Sequence, residues 1–296
     1  MGSLAANALP TGEAETLVGS IVSAFPNSFY VKTIKNELIF MTKRNLKSPI
    51  TINLDSSATF EQIVKPLQPV SVVAKEIHIG DTATIDISTI PHNNIPSPEN
   101  SFAQQFKLTQ ETLNVSSTVL AIINTSQSVL DQNGFAHEGI KDFVRNGIIP
   151  LREPEKQERF VEAAMKIVGL GSGFTPSGDD VIGGFLSTYN SFADNVNRGK
   201  IILDFDPVQQ RTNWISAKLM DYMQHQVLDD HVQQLIRSAE SGRGNEFVIA
   251  LETLLPRGHT SGIDIAVGAL LATCLISDMK TKERGTERIA KRIGLN

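Results

Sequence analysis

Between residues 28 and 88 apolar and polar positions alternate in short runs, at 29–33, 37–42, 50–54, 70–77 and 83–88. A two-residue period is that of strands with one face in a core, and Lys35-Asn36 between the first two runs predicts a hairpin turn. Five such strands predict a small antiparallel barrel or sandwich, because one hairpin alone buries too little surface to be stable. The run 17–25 reads two ways: its apolar spacing suits a helix and its β-branched content a strand. Pro91, Pro96 and Pro98, with Asn93 and Asn94, then interrupt any regular element by fixing φ and removing backbone donors. Beyond them the apolar period becomes helical. Helices are predicted at 113–130, 136–146, 155–168, 180–192, 214–226, 231–239, 246–254 and 263–277, with a polar one at the C-terminus. The expected fold is α+β: a flexible N-terminus (1–16), a β-rich domain (17–98), and a larger, mostly helical domain (99–296).

Composition adds exclusions. Of 296 residues, 41% are hydrophobic and 20% charged, which excludes wholesale disorder and suits about two domains. Lys and Arg number 27 against 32 Asp and Glu, and both halves are mildly acidic, so neither reads as a nucleic-acid binder. The one basic run, from Lys280 to Arg292, carries Glu283 and Glu287 and reads as a solvated helix end. A single cysteine, Cys274, excludes an internal disulfide framework and multi-cysteine zinc sites. No secretory leader or myristoylation pattern opens the chain, and the apolar run 263–276, interrupted by Asp264, is too short to span a bilayer. A cytoplasmic location is expected.

Glycine is unevenly placed. Gly169, Gly171, Gly173, Gly178, Gly183 and Gly184 fall in one window, which reads Gly169-Leu-Gly171-Ser172-Gly173-Phe-Thr175-Pro-Ser177-Gly178-Asp179-Asp180 and leads into an apolar helix. A dinucleotide fingerprint would need glycine at Phe174, a phosphate loop needs a Gly-Lys pair, and a nucleophile elbow needs a residue between Ser177 and Gly178. All three fail. A second segment, Gly258-His259-Thr260-Ser261-Gly262-Ile-Asp264, echoes the first: Ser177 aligns with Ser261, Gly178 with Gly262, Asp180 with Asp264 and Gly184 with Gly268.

Ser-x-x-Asp in both copies predicts capping boxes, with the serine hydroxyl on the N3 amide and the carboxylate reaching back. Capping leaves Gly169, Gly171 and Gly173 unexplained. It also leaves Gly183 and Gly184 inside a helix, where each costs about 1 kcal/mol relative to alanine unless another backbone packs close. The functional reading is that two helix N-termini converge on a pocket for a small anion, carboxylate or phosphate, with backbone N–H groups at Gly171, Gly173, Gly178 and Gly262 and side-chain donors from Ser172, Thr175, Ser177, His259, Thr260 and Ser261. Asp179, Asp180 and Asp264 would repel such an anion. Either they turn back as caps, or a divalent cation such as Mg²⁺ lies between; Asp179 is open to either. His225, Asp229, Asp230 and His231 form a second titratable cluster, read as a solvated helix end rather than a metal site.

At these residues the sequence resembles a prokaryotic family long described only as a domain of unknown function, which includes the AllH-like subunit of oxamate carbamoyltransferase. The two glycine-rich motifs carry the resemblance, together with Arg211-Thr212 and Ser216. It implies a subunit in purine-derived (allantoin) nitrogen catabolism that works with others to move a carbamoyl group between oxalurate and phosphate, giving oxamate and carbamoyl phosphate. No cofactor is required for that chemistry. The catalytic candidates are Thr175, His259 and Asp179, with Arg211 and Thr212 joining the binding residues. Alternatives are a non-catalytic anion-binding or regulatory subunit, and a stand-alone metal-dependent hydrolase built on Gly-Asp-Asp.

Overall fold

The structure is a computed structural model that describes residues 1–91, 135–241, 244–258, 260–282, 284–292 and 294. The helix expected at 113–130 and the candidate His259 lie outside the described residues. Met1–Ser97 and Pro98–Asn296 form two compact units.

The first unit is one curled seven-stranded sheet, β1 (Thr16–Phe25), β2 (Ser28–Thr33), β3 (Leu38–Thr42), β4 (Thr51–Asn53), β5 (Pro69–Val73), β6 (Glu76–Ile79) and β7 (Ala83–Asp86), in the order β4-β3-β2-β1-β5-β6-β7. The ambiguous run 17–25 is the central strand. Its β-branched residues decide the matter, because Val18 and Ile21 face the core while β2 and β5 satisfy the backbone on both sides. The run 70–77 is two strands, not one: Ala74 takes φ 53° in a two-residue turn, with Val73 opposite Glu76. The turn at Lys35-Asn36 forms as expected, with Asn36 at φ 61° and the Thr33 amide donating to the Glu37 carbonyl at 2.8 Å. All pairings are antiparallel except β3 with β4, where the connection returns the chain in parallel. The first residues, expected as a loose arm, form α1 (Ser3–Ala8), and Met1, Ala5 and Leu9 join Phe29, Ile39, Ile52 and Phe60 of α2 (Phe60–Ile63) in the core.

The second unit contains α3 (Phe135–Phe143), α4 (Gln157–Ile167), α5 (Ser177–Phe192), α6 (Phe205–Gln209), α7 (Trp214–Gln224), α8 (Asp230–Ser241), α9 (Gly244–Leu254), α10 (Ser261–Thr281) and α11 (Gly285–Arg292). Two of these lack an exposed face: α5 is buried at every position but Ser191, and α10 from Gly262 to Asp278. A helix apolar all round belongs at the centre of a core, and the others pack around this pair. By length and composition α10 could cross a membrane, yet 94% of its most apolar stretch is buried inside the protein, Cys274 included. The polar C-terminal helix is held at its start by buried Asp278, which accepts from the amides of Gly285 (2.6 Å) and Thr286 (2.9 Å) and pairs with Arg152 (2.7 Å).

Candidate functional site

α5 and α10 cross where glycine removes the side chains between them. A Cβ at Gly184 would overlap the carbonyl oxygen of Ile265 in α10, and one at Gly268 would overlap that of Val181 in α5. Each contact is the other with the helices exchanged, the reciprocity of a two-fold axis. The same relation governs the approach to each helix. The Leu170 amide donates to the Ile167 carbonyl and the Arg257 amide to the Leu254 carbonyl, both at 3.0 Å, and Gly178 and Gly262 press against the ends of α4 and α9. The repeat visible in sequence from Ser177 onward therefore includes the preceding helix as well. A difference in connection length hides that half: 168–176 joins the first pair and 255–260 the second.

The symmetry brings the two turns together. Thr175 Oγ1 lies 2.7 Å from Ser261 Oγ, one hydroxyl from each copy. In the same loop as Thr175, Gly171, Ser172 and Gly173 are exposed, and the two glycines take φ 116° and 117°, which only glycine adopts without strain. Among the described residues no protein acceptor takes the amides of these three. Thr260 is half-buried beside Ser261, and Ser177 is buried behind the Gly171 turn.

Two expectations change. The amides of Gly178 and Gly262 are not open to a ligand, since they donate to the carbonyls of Leu170 (2.8 Å) and Arg257 (2.9 Å). Neither capping box forms: Pro176 and Thr260 hold the cap positions, Ser177 and Ser261 are already helical, and no side chain caps either helix.

The carboxylates serve other ends. Asp179 is buried, with Oδ1 accepting from the Gly169 amide (2.7 Å) and Oδ2 from Thr212 Oγ1 (2.5 Å) and Ser216 Oγ (2.6 Å). Burial raises its pKa, against the pull of these three donors. It fastens the start of α7 to the first turn, which sets the Arg211 backbone against Gly169 and leaves the Arg211 side chain exposed. Asn213 completes the fastening, capping α7 through the Ser216 amide (3.0 Å) and donating to the Phe174 carbonyl (2.8 Å). Thr212 thus acts inside the fold, as an anchor of this segment.

Asp180 Oδ2 accepts from Thr175 Oγ1 at 2.9 Å, with the Ser261 hydroxyl beyond it, 2.7 Å from Thr175. Burial drives its pKa up to about 8, helped by the charge of Asp264 and opposed by the two hydroxyls and Arg257. Asp264 is fully buried. Both oxygens of Asp179 are thus taken by protein donors, which is the fastening reading of this carboxylate.

The second cluster resolves differently from expectation. Asp229 is buried, not solvated; its Oδ1 caps α8 through the amides of His231 and Val232, both at 3.1 Å, and its Oδ2 pairs with Arg257. Asp229, Asp230 and His231 come within 4.8 Å of one another, but Asp229 is already engaged on both oxygens. Arg257 and Asn213 were not singled out from sequence. Asn213 could have been, because Asn ahead of an apolar helical run is an N-cap signal. Arg257 gave no local sign, since its partner is 28 residues away.

Comparison with known proteins supplies two family matches. The model for oxamate carbamoyltransferase subunit AllH matches residues 167–273, from the end of α4 through both turns and most of α10, and that for the AllH family N-terminal domain matches residues 3–92. No curated protein and no solved structure matches the chain.

Proposed function

Since the chain belongs to the AllH family of oxamate carbamoyltransferase subunits, and so takes the role of a carbamoyltransferase subunit among others in a complex, we propose that its helical unit binds the small anions of that reaction between the two glycine-rich turns. The substrates are oxalurate and phosphate in one direction, oxamate and carbamoyl phosphate in the other, in purine-derived nitrogen breakdown in the cytoplasm. One observation carries the reading: the 2.7 Å contact of Thr175 with Ser261, which places the turns of both copies at a single locus. There the open amides of Gly171, Ser172 and Gly173 would receive a carboxylate or phosphoryl oxygen, with Thr260 as a further hydroxyl donor beside Ser261 and with His259 and Arg211 as the candidate basic side chains of the sequence. The same donors suit the oxyanion that forms when the carbamoyl carbon is attacked. No protein nucleophile is needed, because phosphate or an amide nitrogen attacks directly.

Oxamate, oxalurate or carbamoyl phosphate at millimolar concentration is expected to raise the melting temperature of the protein. The absence of a shift with all three would overturn the reading. In the reconstituted complex, Thr175→Ala and His259→Ala should lose turnover; a site that binds the anions but keeps full turnover in both variants would be a regulatory one.

A further inference from the structure

Building on the carbamoyl-transfer reading, we infer that Asp180, Thr175 and Ser261 form a proton relay joining the two reacting heteroatoms. The reaction itself calls for one. When a hydrogen phosphate oxygen attacks the ureido carbonyl of oxalurate, a C–O bond forms and the C–N bond to the oxamate portion breaks, its electron pair going to nitrogen. That nitrogen must gain one proton, and the phosphate must lose one. Charge and atoms balance with no other reactant, provided the proton crosses the site.

The three side chains are built for such a crossing. Thr175 and Ser261 come from different copies of the repeat, lie 2.7 Å apart with either oxygen able to donate, and are half-buried at the locus shared by the turns. Behind them Asp180, 8% exposed, accepts from Thr175 at 2.9 Å, so that the three groups form one chain from Ser261 through Thr175 to the carboxyl. A hydroxyl both donates and accepts, so a proton given to the leaving nitrogen at one is replaced from the carboxyl, which then takes the proton of the phosphate. The groups facing Asp180 keep it poised for exchange near neutral pH. Asp264 on α10 favours the protonated form, and Arg257, drawn towards Asp229, favours the ionised form only weakly enough to leave the pKa at about 8. A purely structural cap would sit on backbone amides, and Asp180 has none among its bonds in the described structure.

The test uses the transferase reconstituted with its partner subunits, following carbamoyl phosphate formed from oxalurate and phosphate. Asp180→Asn keeps the shape and removes the exchangeable proton; kcat should fall about 100-fold or more. The oxamate-induced rise in melting temperature should persist, and the limb of the kcat–pH profile near pH 8 should vanish. Thr175→Val should lose rate comparably, with Thr175→Ser recovering most of it, which keeps the test decisive if Asp180→Asn folds poorly. Were the wild-type complex active and both Asp180→Asn and Thr175→Val within about threefold of it, the relay would be wrong and the transferase reading would stand. A wild-type complex that forms no carbamoyl phosphate would overturn both.

Discussion

Gly184 and Gly268 occupy equivalent places on the two sides of one helix crossing, and neither leaves room for a methyl group before the carbonyl of the opposing helix. That contact fixes the separation of α5 and α10, and with it the meeting of Thr175 and Ser261 about two turns away.

Gly184→Ala and Gly268→Ala should therefore destabilise the helical unit, although alanine is the better helix former by about 1 kcal/mol. The obstacle is backbone, which cannot rotate aside, so the loss belongs at the upper end of the ~1–3 kcal/mol typical of overpacked cores. Gly183→Ala is the control: its Cβ would meet the Sδ of Met223 at 2.8 Å, the far end of a flexible side chain. Urea denaturation should rank Gly183→Ala well above the other two; equal midpoints would refute the close-crossing account.

Asp179→Ala should cost more than Asp179→Asn. Alanine strands the Gly169 amide and two hydroxyls in a buried place, at about 1–3 kcal/mol for each group left unsatisfied. Asparagine keeps an oxygen for Gly169, and the hydroxyls of Thr212 and Ser216 can turn to accept from its amide. Differential scanning calorimetry should show the two melting temperatures in that order, and the reverse order would mean that Asp179 is not a fastener.

Asp180 makes stability depend on pH. Unfolded, it loses its proton near pH 3.9; folded, it holds it to about pH 8. In between, the unfolded chain binds fewer protons than the folded one, so this contribution to stability is full below the unfolded value, declines as pH rises and levels off above about 8. The slope from one such group is at most about 1.4 kcal/mol per pH unit. The stability difference between wild type and Asp180→Asn should shift steadily in favour of the variant between pH 5 and 7.5, and a difference constant with pH would exclude a raised pKa at this residue.

Chelation offers a separate check on the carboxyls. Because Asp179 is occupied by protein donors, EDTA should leave the oxamate-induced stabilisation unchanged, and added Mg²⁺ should not increase it. A stabilisation that disappears with EDTA and returns with Mg²⁺ would restore the cation to the site.

What the sequence disclosed and what it hid follow one physical rule: local patterns show, distant partners do not. The helices at 180–192 and 263–277 and the echo between Ser177 and Ser261 depend on spacing within one segment, and all were legible. So was Gly184 as a mark of close packing, because an interior helix glycine has a cost that something must offset. The hairpin at Ala74 was missed because its residues carry no turn signature; the pairing of β5 with β6 imposes the conformation. Asp179 and Asp180, adjacent in sequence, offer the same local pattern for a cap or a metal ligand. The fold separates them, sending one to Thr212 and Ser216 and the other to Thr175, and no local pattern announces which way a carboxylate turns.

The unequal connections of the repeat bear on the direction of chemistry. Two equal loops on a two-fold frame would offer identical halves, and a ligand could enter in either of two orientations. With a longer, glycine-rich loop on one side and a shorter one carrying Arg257 and Thr260 on the other, that equivalence is lost. The frame remains symmetric while its rim does not, so the carbamoyl donor and the acceptor would each have one side to which they belong.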